Sequence, residues 1–193
     1  MKMQRIDWRS ARAVACVAFT LAIAAAAGAT TIERMSLEKM AVAAPVIVRA
    51  RCVGNSVVRD AGEIWTFTSF DVEETWRGTP PPRITVRLLG GKMGDITSHV
   101  SGVPKFRPGE DTVLFLQTTP RGDFSVVSWE QGTFRIHCDA ADARAFVTQD
   151  TASFATFDPT TRRFRAAGIR NMSLGQFRAR VEAALQTAGA MQQ

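Results

Sequence analysis

Histidine and cysteine are scarce in this chain, with two histidines and three cysteines among 193 residues. Zinc sites take three or four closely spaced His, Cys or acidic ligands. Neither His99 nor His137 has a partner at such spacing, so the sequence predicts no metal and no other cofactor. A Gly-x-Ser-x-Gly elbow is also missing. Asp95, Ser98 and His99 only superficially suggest orienter, nucleophile and base, because chain neighbours seldom place their side chains in a hydrogen-bonded relay. Internal repeats are absent, and outside the N-terminus there is no low-complexity segment. The uncharged apolar run Ala13 to Ala27 falls short of the roughly 20 residues a spanning helix needs.

That run has another reading. Lys2, Arg5, Arg9 and Arg12 precede it and Ala27-Gly28-Ala29 closes it, the pattern of a signal peptide over 1–29 with cleavage between Ala29 and Thr30. The protein is therefore expected in the periplasm or outside the cell, without a stable membrane span; a retained signal anchor is the alternative. Cys16 follows Val14-Ala15 like the end of a lipoprotein box, but the stretch before it is charged and polar. Removing the leader leaves 20 basic and 17 acidic residues, so the formal charge falls from +6 to +3. A single domain of the remaining size buries roughly 70% of its unfolded surface and needs no cofactor for stability. Cys52 and Cys138 survive cleavage and in an oxidising compartment predict one disulfide, with two small buried thiols as the alternative.

Beyond a short polar start, Ser36 offers an N-cap for a helix that Pro45 must stop. The period then changes to two. Val46, Val48, Ala50 and Cys52 alternate with Ile47, Arg49, Arg51 and Val53, predicting a strand over 45–53. Residues 55–62 read as a polar turn and 64–76, rich in Trp, Phe, Thr and Val, as a long strand. Pro80-Pro81-Pro82 breaks it. Further strands are expected at 83–89, 111–118, 124–129 and 132–138. Ser173 and Gln176 form a capping box before an amphipathic helix over 174–186, whose Leu174, Phe177, Val181 and Leu185 stripe should pack on the β domain.

The stretches Ala44-Pro-Val-Ile-Val-Arg-Ala-Arg-Cys-Val-Gly54, Phe70-Asp-Val-Glu-Glu-Thr-Trp-Arg-Gly78 and Pro108-Gly-Glu-Asp-Thr-Val-Leu-Phe-Leu116 resemble a set of uncharacterised exported bacterial proteins. More distantly they are similar to the netrin module and the tissue inhibitors of metalloproteinases, in which an apolar first strand precedes a long second one ending near a Lys/Arg-Gly pair. The resemblance implies a mainly β fold: a small antiparallel five- to six-stranded barrel of the oligonucleotide/oligosaccharide-binding type. A short N-terminal helix and the C-terminal amphipathic helix flank it. The expected organisation is a leader over 1–29, an N-terminal segment over 30–44, the barrel over 45–139 and an extension over 140–193. Two features depart from the inhibitors: the mature chain would begin Thr30-Thr31-Ile32 without their zinc-chelating N-terminal cysteine, and their multiple disulfides are missing. Fold transfers better than function.

Other candidate chemistry reduces to structural roles. Cys52 or Cys138 as a nucleophile would need a depressed pKa and access. Asp71, Glu73 and Glu74 read as a solvated strand face, and Gly90-Gly91-Lys92-Met93-Gly94 lacks the following helix of a phosphate loop. The arginines from Arg162 to Arg180 read as a solvated face, so no nucleic-acid partner is expected. What stands out is residues 90–110, too long for an ordinary connection and rich in Gly and Pro. Its Lys92, Met93, Asp95, His99, Lys105 and Phe106 form the candidate partner-binding set, against a lid folded onto the barrel through Val100, Val103 and Phe106. The expected function is a noncatalytic, monomeric interaction or inhibitor-like module with a protein partner in the envelope or outside the cell. An envelope-polymer hydrolase is the first alternative and a nucleic-acid-binding barrel the second.

Overall fold

The computed structural model describes residues 34–139, 144–153, 155–158, 162–166 and 168–190. The expected leader and its cleavage site lie outside them. Helix α1, Leu37–Ala43, starts where the Ser36 Oγ accepts the Lys39 N–H at 3.2 Å. It stops before Pro45. Its last carbonyls find a donor in Arg77, whose Nη1 donates to the oxygens of Ala41, Val42 and Ala44 at 2.6–2.9 Å. A cation at a helix C-terminus satisfies orphan carbonyls and opposes the dipole. Gly78 follows with φ +81°, and a Cβ there would lie 2.7 Å from the Pro45 carbonyl oxygen. The Arg77-Gly78 pair thus clasps the helix to the sheet.

Strands β1, Val46–Asp60, and β2, Glu63–Arg77, form one long hairpin closed by Ala61 and Gly62, both at positive φ. The polar segment 55–62 expected as a turn is mostly strand. Cross-strand pairs such as Ser56 with Phe67 and Val58 with Trp65 hold it, outweighing the polar composition of one side. The register shifts between Cys52 and Gly54, leaving Val53 as a bulge. Next come β3 (Arg83–Leu89), β4 (Gly91–Met93), β5 (Ile96–Ser98), β6 (Asp111–Thr118), β7 (Phe124–Val126) and β8 (Thr133–Cys138). The chain continues through β9 (Ala145–Gln149), β10 (Ala155–Asp158), β11 (Arg163–Ala166) and β12 (Met172–Ser173) to helix α2 (Leu174–Ala190).

The fold is mainly β, as expected, but the sheet is larger and is mixed. Eight strands join in the order β1-β2-β3-β7-β6-β8-β9-β12, and β1 also pairs with β6. The pairings β1-β2-β3-β7-β6-β1 therefore trace a circuit, with β3 and β7 linked in parallel through Val86 and Phe124. The strand count exceeds five or six because the tail contributes β9 and β12 to the same sheet. These strands are short, which hid their periodicity.

Alternation along β1 and β6 makes two cores. Val46, Val48, Ala50 and Cys52 join Leu114, Leu116, Phe70, Ile84 and Val86 on one side. Ile47, Val113 and Phe115 face the other, where α1 and α2 pack with Met40, Phe177 and Val181. Phe177 is fully buried, 4.7 Å from the Phe134 ring and 6.3 Å from Phe115. Removing such a side chain from water contributes about 1.5–3 kcal/mol. The helix caps as expected, Ser173 Oγ accepting the Gln176 N–H at 3.3 Å.

The bridge expected between Cys52 and Cys138 is not formed; both are free thiols, Cys52 buried and Cys138 exposed. Strand β6 lies between β1 and β8. Two strand spacings of about 4.8 Å exceed the Cα separation of about 7 Å that a disulfide tolerates. No helix among the described residues is long and apolar enough to cross a membrane.

Candidate functional site

Residues 90–110 do two different things. Their first part folds back as the β4–β5 hairpin, with Gly91 opposite Ser98 and Met93 opposite Ile96. Gly91 has φ +145°, and a Cβ would sit 2.5 Å from the Thr66 Oγ1, so the glycines here serve close approach of backbone and not a phosphate. The tip is exposed, with Ile96 57% accessible.

The second part is pinned. Phe106 is 5% exposed, edge-on to Phe70 at 4.9 Å and beneath the Arg135 guanidinium at 5.4 Å. Its carbonyl accepts from Asn55 Nδ2 at 2.8 Å, and Asn55 Oδ1 in turn accepts from the buried Thr68 Oγ1 at 2.6 Å. Arg135 Nη2 donates to the Lys105 carbonyl at 2.6 Å. Backbone bonds join Cys52 N–H to the Glu110 oxygen at 2.9 Å and Gly109 N–H to the Cys52 oxygen at 2.8 Å. The stretch from Val103 to Glu110 is thus a wedge driven into the open end of the β1–β2 layer.

Between hairpin and wedge lies a cavity of about 280 Å³. Lys92, His99 and Lys105 border it with Asn55, Thr66 and Ser98, and no carboxylate lines it. Lys105 Nζ stands 3.4 Å from His99 Nδ1. Of the expected partner set, Lys92, His99, Lys105 and Phe106 gather at this cavity, while Met93 closes β4 and Asp95 sits at the exposed hairpin tip. Phe106 must be taken out of any partner surface, because its ring is core.

No protein-family model matches the chain, and no curated protein or solved structure matches it significantly.

The remaining candidate residues are engaged in contacts within the fold. Arg49 Nη2 contacts Asp111 at 2.6 Å, and its Nη1 contacts Glu74 at 3.0 Å. Arg51 pairs with Glu73 at 2.8 Å, and Arg83 with Asp71 at 2.7 Å. The acidic face of β2 is therefore tied to arginines. Burial alone would push the Glu74 carboxyl up, but hydrogen bonds from Trp76 and Arg49 with the charges of Arg49 and Arg178 hold it below the usual carboxylate range. From the tail, Arg178 reaches Glu74 and Glu182, and Arg180 reaches Glu38. Burial pushes the Cys52 thiol up and the Glu110 charge adds to this, the reverse of nucleophile activation. His137 on β8 meets Asn171 Oδ1 at 3.2 Å and stacks on Phe146.

Sequence reasoning missed the polar hub behind the wedge. Arg135 Nε meets Asp150 Oδ1 at 2.5 Å, and its Nη1 also pairs with Glu110. Burial opposes the guanidinium's charge, yet these partners outweigh it and raise its pKa. Half-buried Glu130 stands beside the hub with its carboxyl pushed up, chiefly by burial and then by the charge of Asp150. Its members lie far apart in sequence, so no spacing announces them.

Proposed function

We propose that this chain is an exported, noncatalytic interaction module that meets an envelope protein through the β4–β5 hairpin. One observation carries the reading: the 90–110 segment is divided into an anchored wedge and a projecting hairpin. A rigid base fixes the hairpin while Ile96 stays 57% exposed at its tip. Presenting an apolar anchor from a pinned base lowers the ordering cost of association. Lys92, beside a cavity without carboxylates, adds a positive rim, which suits a partner with an apolar side chain for Ile96 and an acidic one for Lys92.

The circuit of strand pairings supports an oligonucleotide/oligosaccharide-type barrel, and the clasp on α1 gives the Arg77-Gly78 pair of this chain a physical role. The hydrolase alternative lacks support of this kind, since the clustered carboxylates of β2 are committed to arginines.

Replacing residues 92–97 by a minimal turn tests the reading. Loss of partner capture from envelope extracts, with thermal stability unchanged, supports it. Undiminished capture, or collapse of stability, overturns it.

A further inference from the structure

The cavity between the β4–β5 hairpin and the wedge is edged by donors that have no acceptor. Some of its polar lining is already satisfied: Thr66 Oγ1 donates to the Gly90 carbonyl at 2.7 Å, and the Asn55 amide is held between the Phe106 carbonyl and the Thr68 hydroxyl. What is left are the Lys92 and Lys105 ammonium groups, the His99 imidazole and the hydroxyls of Thr97 and Ser98. Lysine can only donate, so the contact of Lys105 with His99 Nδ1 leaves the imidazole proton on Nε2 as a further donor. Arginines on the strands, Arg49, Arg51 and Arg83 among them, each meet a carboxylate. Lys92, His99 and Lys105 have no ion pair among the described residues, and no carboxylate lines their cavity. The charge of Lys105 also reaches Glu130, which lies outside the lining.

Behind these donors the wall is apolar. Val100 and Val103, both half-buried, face the cavity, and Leu88 and Phe106, 6% and 5% exposed, fix that wall to the core. At about 280 Å³ the cavity falls below the roughly 300–1,000 Å³ of sites for drug-sized ligands. One residue of a peptide fills it, and a long acyl chain does not fit.

A cationic rim over an apolar wall selects a ligand that carries a carboxylate and an apolar group close together. The last residue of a polypeptide has both on one Cα, and charge-assisted bonds to its carboxylate are the strong ones. The hairpin closes one side of the cavity and the wedge another. A chain entering by its end needs one opening, whereas an internal acidic residue must bring two flanking segments past the same rim. We propose that the cavity receives the free C-terminal residue of the partner protein, its apolar side chain against Val100 and Val103 and its carboxylate accepting from Lys92, Lys105 and Ser98. This rests on the hairpin being the contact surface and names the acidic group that Lys92 meets.

NMR titration of the whole protein with acetyl-Gly-Gly-Leu bearing a free carboxylate tests it, with the peptide's carboxamide, acetyl-Gly-Gly-Gly, inorganic phosphate and octanoate as comparisons. The expected result is saturable movement of the Lys92, Ser98 and His99 signals, with the carboxamide and acetyl-Gly-Gly-Gly binding at least about tenfold more weakly. Lys92→Gln and, separately, Lys105→Gln should each weaken the peptide at least about threefold. Both side chains are exposed, and Lys105→Gln keeps the carbonyl that Arg135 holds, so both variants fold. The proposal is overturned if the peptide moves none of these signals, if the carboxamide or phosphate binds as tightly, if octanoate binds more tightly, or if both variants bind as the parent does. Peptide failure alongside envelope capture that still depends on residues 92–97 removes this assignment alone. Peptide binding alongside capture that ignores those residues removes the hairpin reading instead.

Discussion

Phe106→Ala separates a wedge from a flexible partner loop. The ring is 5% exposed and sits against Phe70 at 4.9 Å and 85°. Phe to Ala in a core costs about 3–5 kcal/mol, of which an edge-to-face aromatic pair accounts for about 0.5–1.5 kcal/mol. A connecting segment can relax more than a strand, so the lower end, about 3 kcal/mol, is expected. For a domain of this size each kcal/mol moves Tm by about 2–4 °C, which gives a fall of about 6–12 °C. Urea unfolding followed by tryptophan fluorescence measures the free-energy loss, and a thermal melt followed by far-ultraviolet circular dichroism measures the fall in Tm. Ile96→Ala, at an exposed hairpin tip, should stay within about 0.5 kcal/mol of the parent. A loss under about 1 kcal/mol for Phe106→Ala, or an equal loss for Ile96→Ala, would refute the division of the loop.

Three further outcomes follow from the electrostatics and the thiols. Because burial raises the Glu130 carboxyl, the native state binds that proton more tightly than the unfolded chain and loses stability as pH rises through the shifted value. Glu130→Gln should match the parent below about pH 4 and have the higher Tm at neutral pH; a lower Tm there contradicts the assignment. Glu74 works in the opposite sense. Its lowered pKa contributes stability above the ordinary carboxylate range that disappears as pH falls through the folded value, so Glu74→Gln should flatten the acid limb of Tm against pH, and an unchanged limb would count against the Arg49 network. Alkylation of native protein, read by peptide mass spectrometry, should modify Cys138 quickly and Cys52 only on unfolding; equal rates would contradict the burial of Cys52.

Strands whose period was strong were legible from residues alone. The strands at 83–89 and 111–118 coincide with β3 and β6, where regular alternation and an uninterrupted apolar run, respectively, leave no competing reading. Ser36 and Ser173 marked both helix starts because capping chemistry is local. What failed depended on partners distant in sequence. Asn55 and Ser56 look like turn residues until Thr68 and Phe67 lie opposite them. The cysteine pair invited a bridge that the interposed β6 prevents. Lys92, His99 and Lys105 were legible as a group because one loop carries them, whereas Glu110, Arg135 and Asp150 come from separate elements and meet only in the folded chain.

The hairpin's role as the contact surface is tested most directly by a photoreactive benzoylphenylalanine placed at position 96 in living cells, with position 186 on the exposed side of α2 as control. A discrete protein adduct from position 96 and none from position 186 is the predicted result. No adduct from position 96, or the same adducts from both positions, would contradict it.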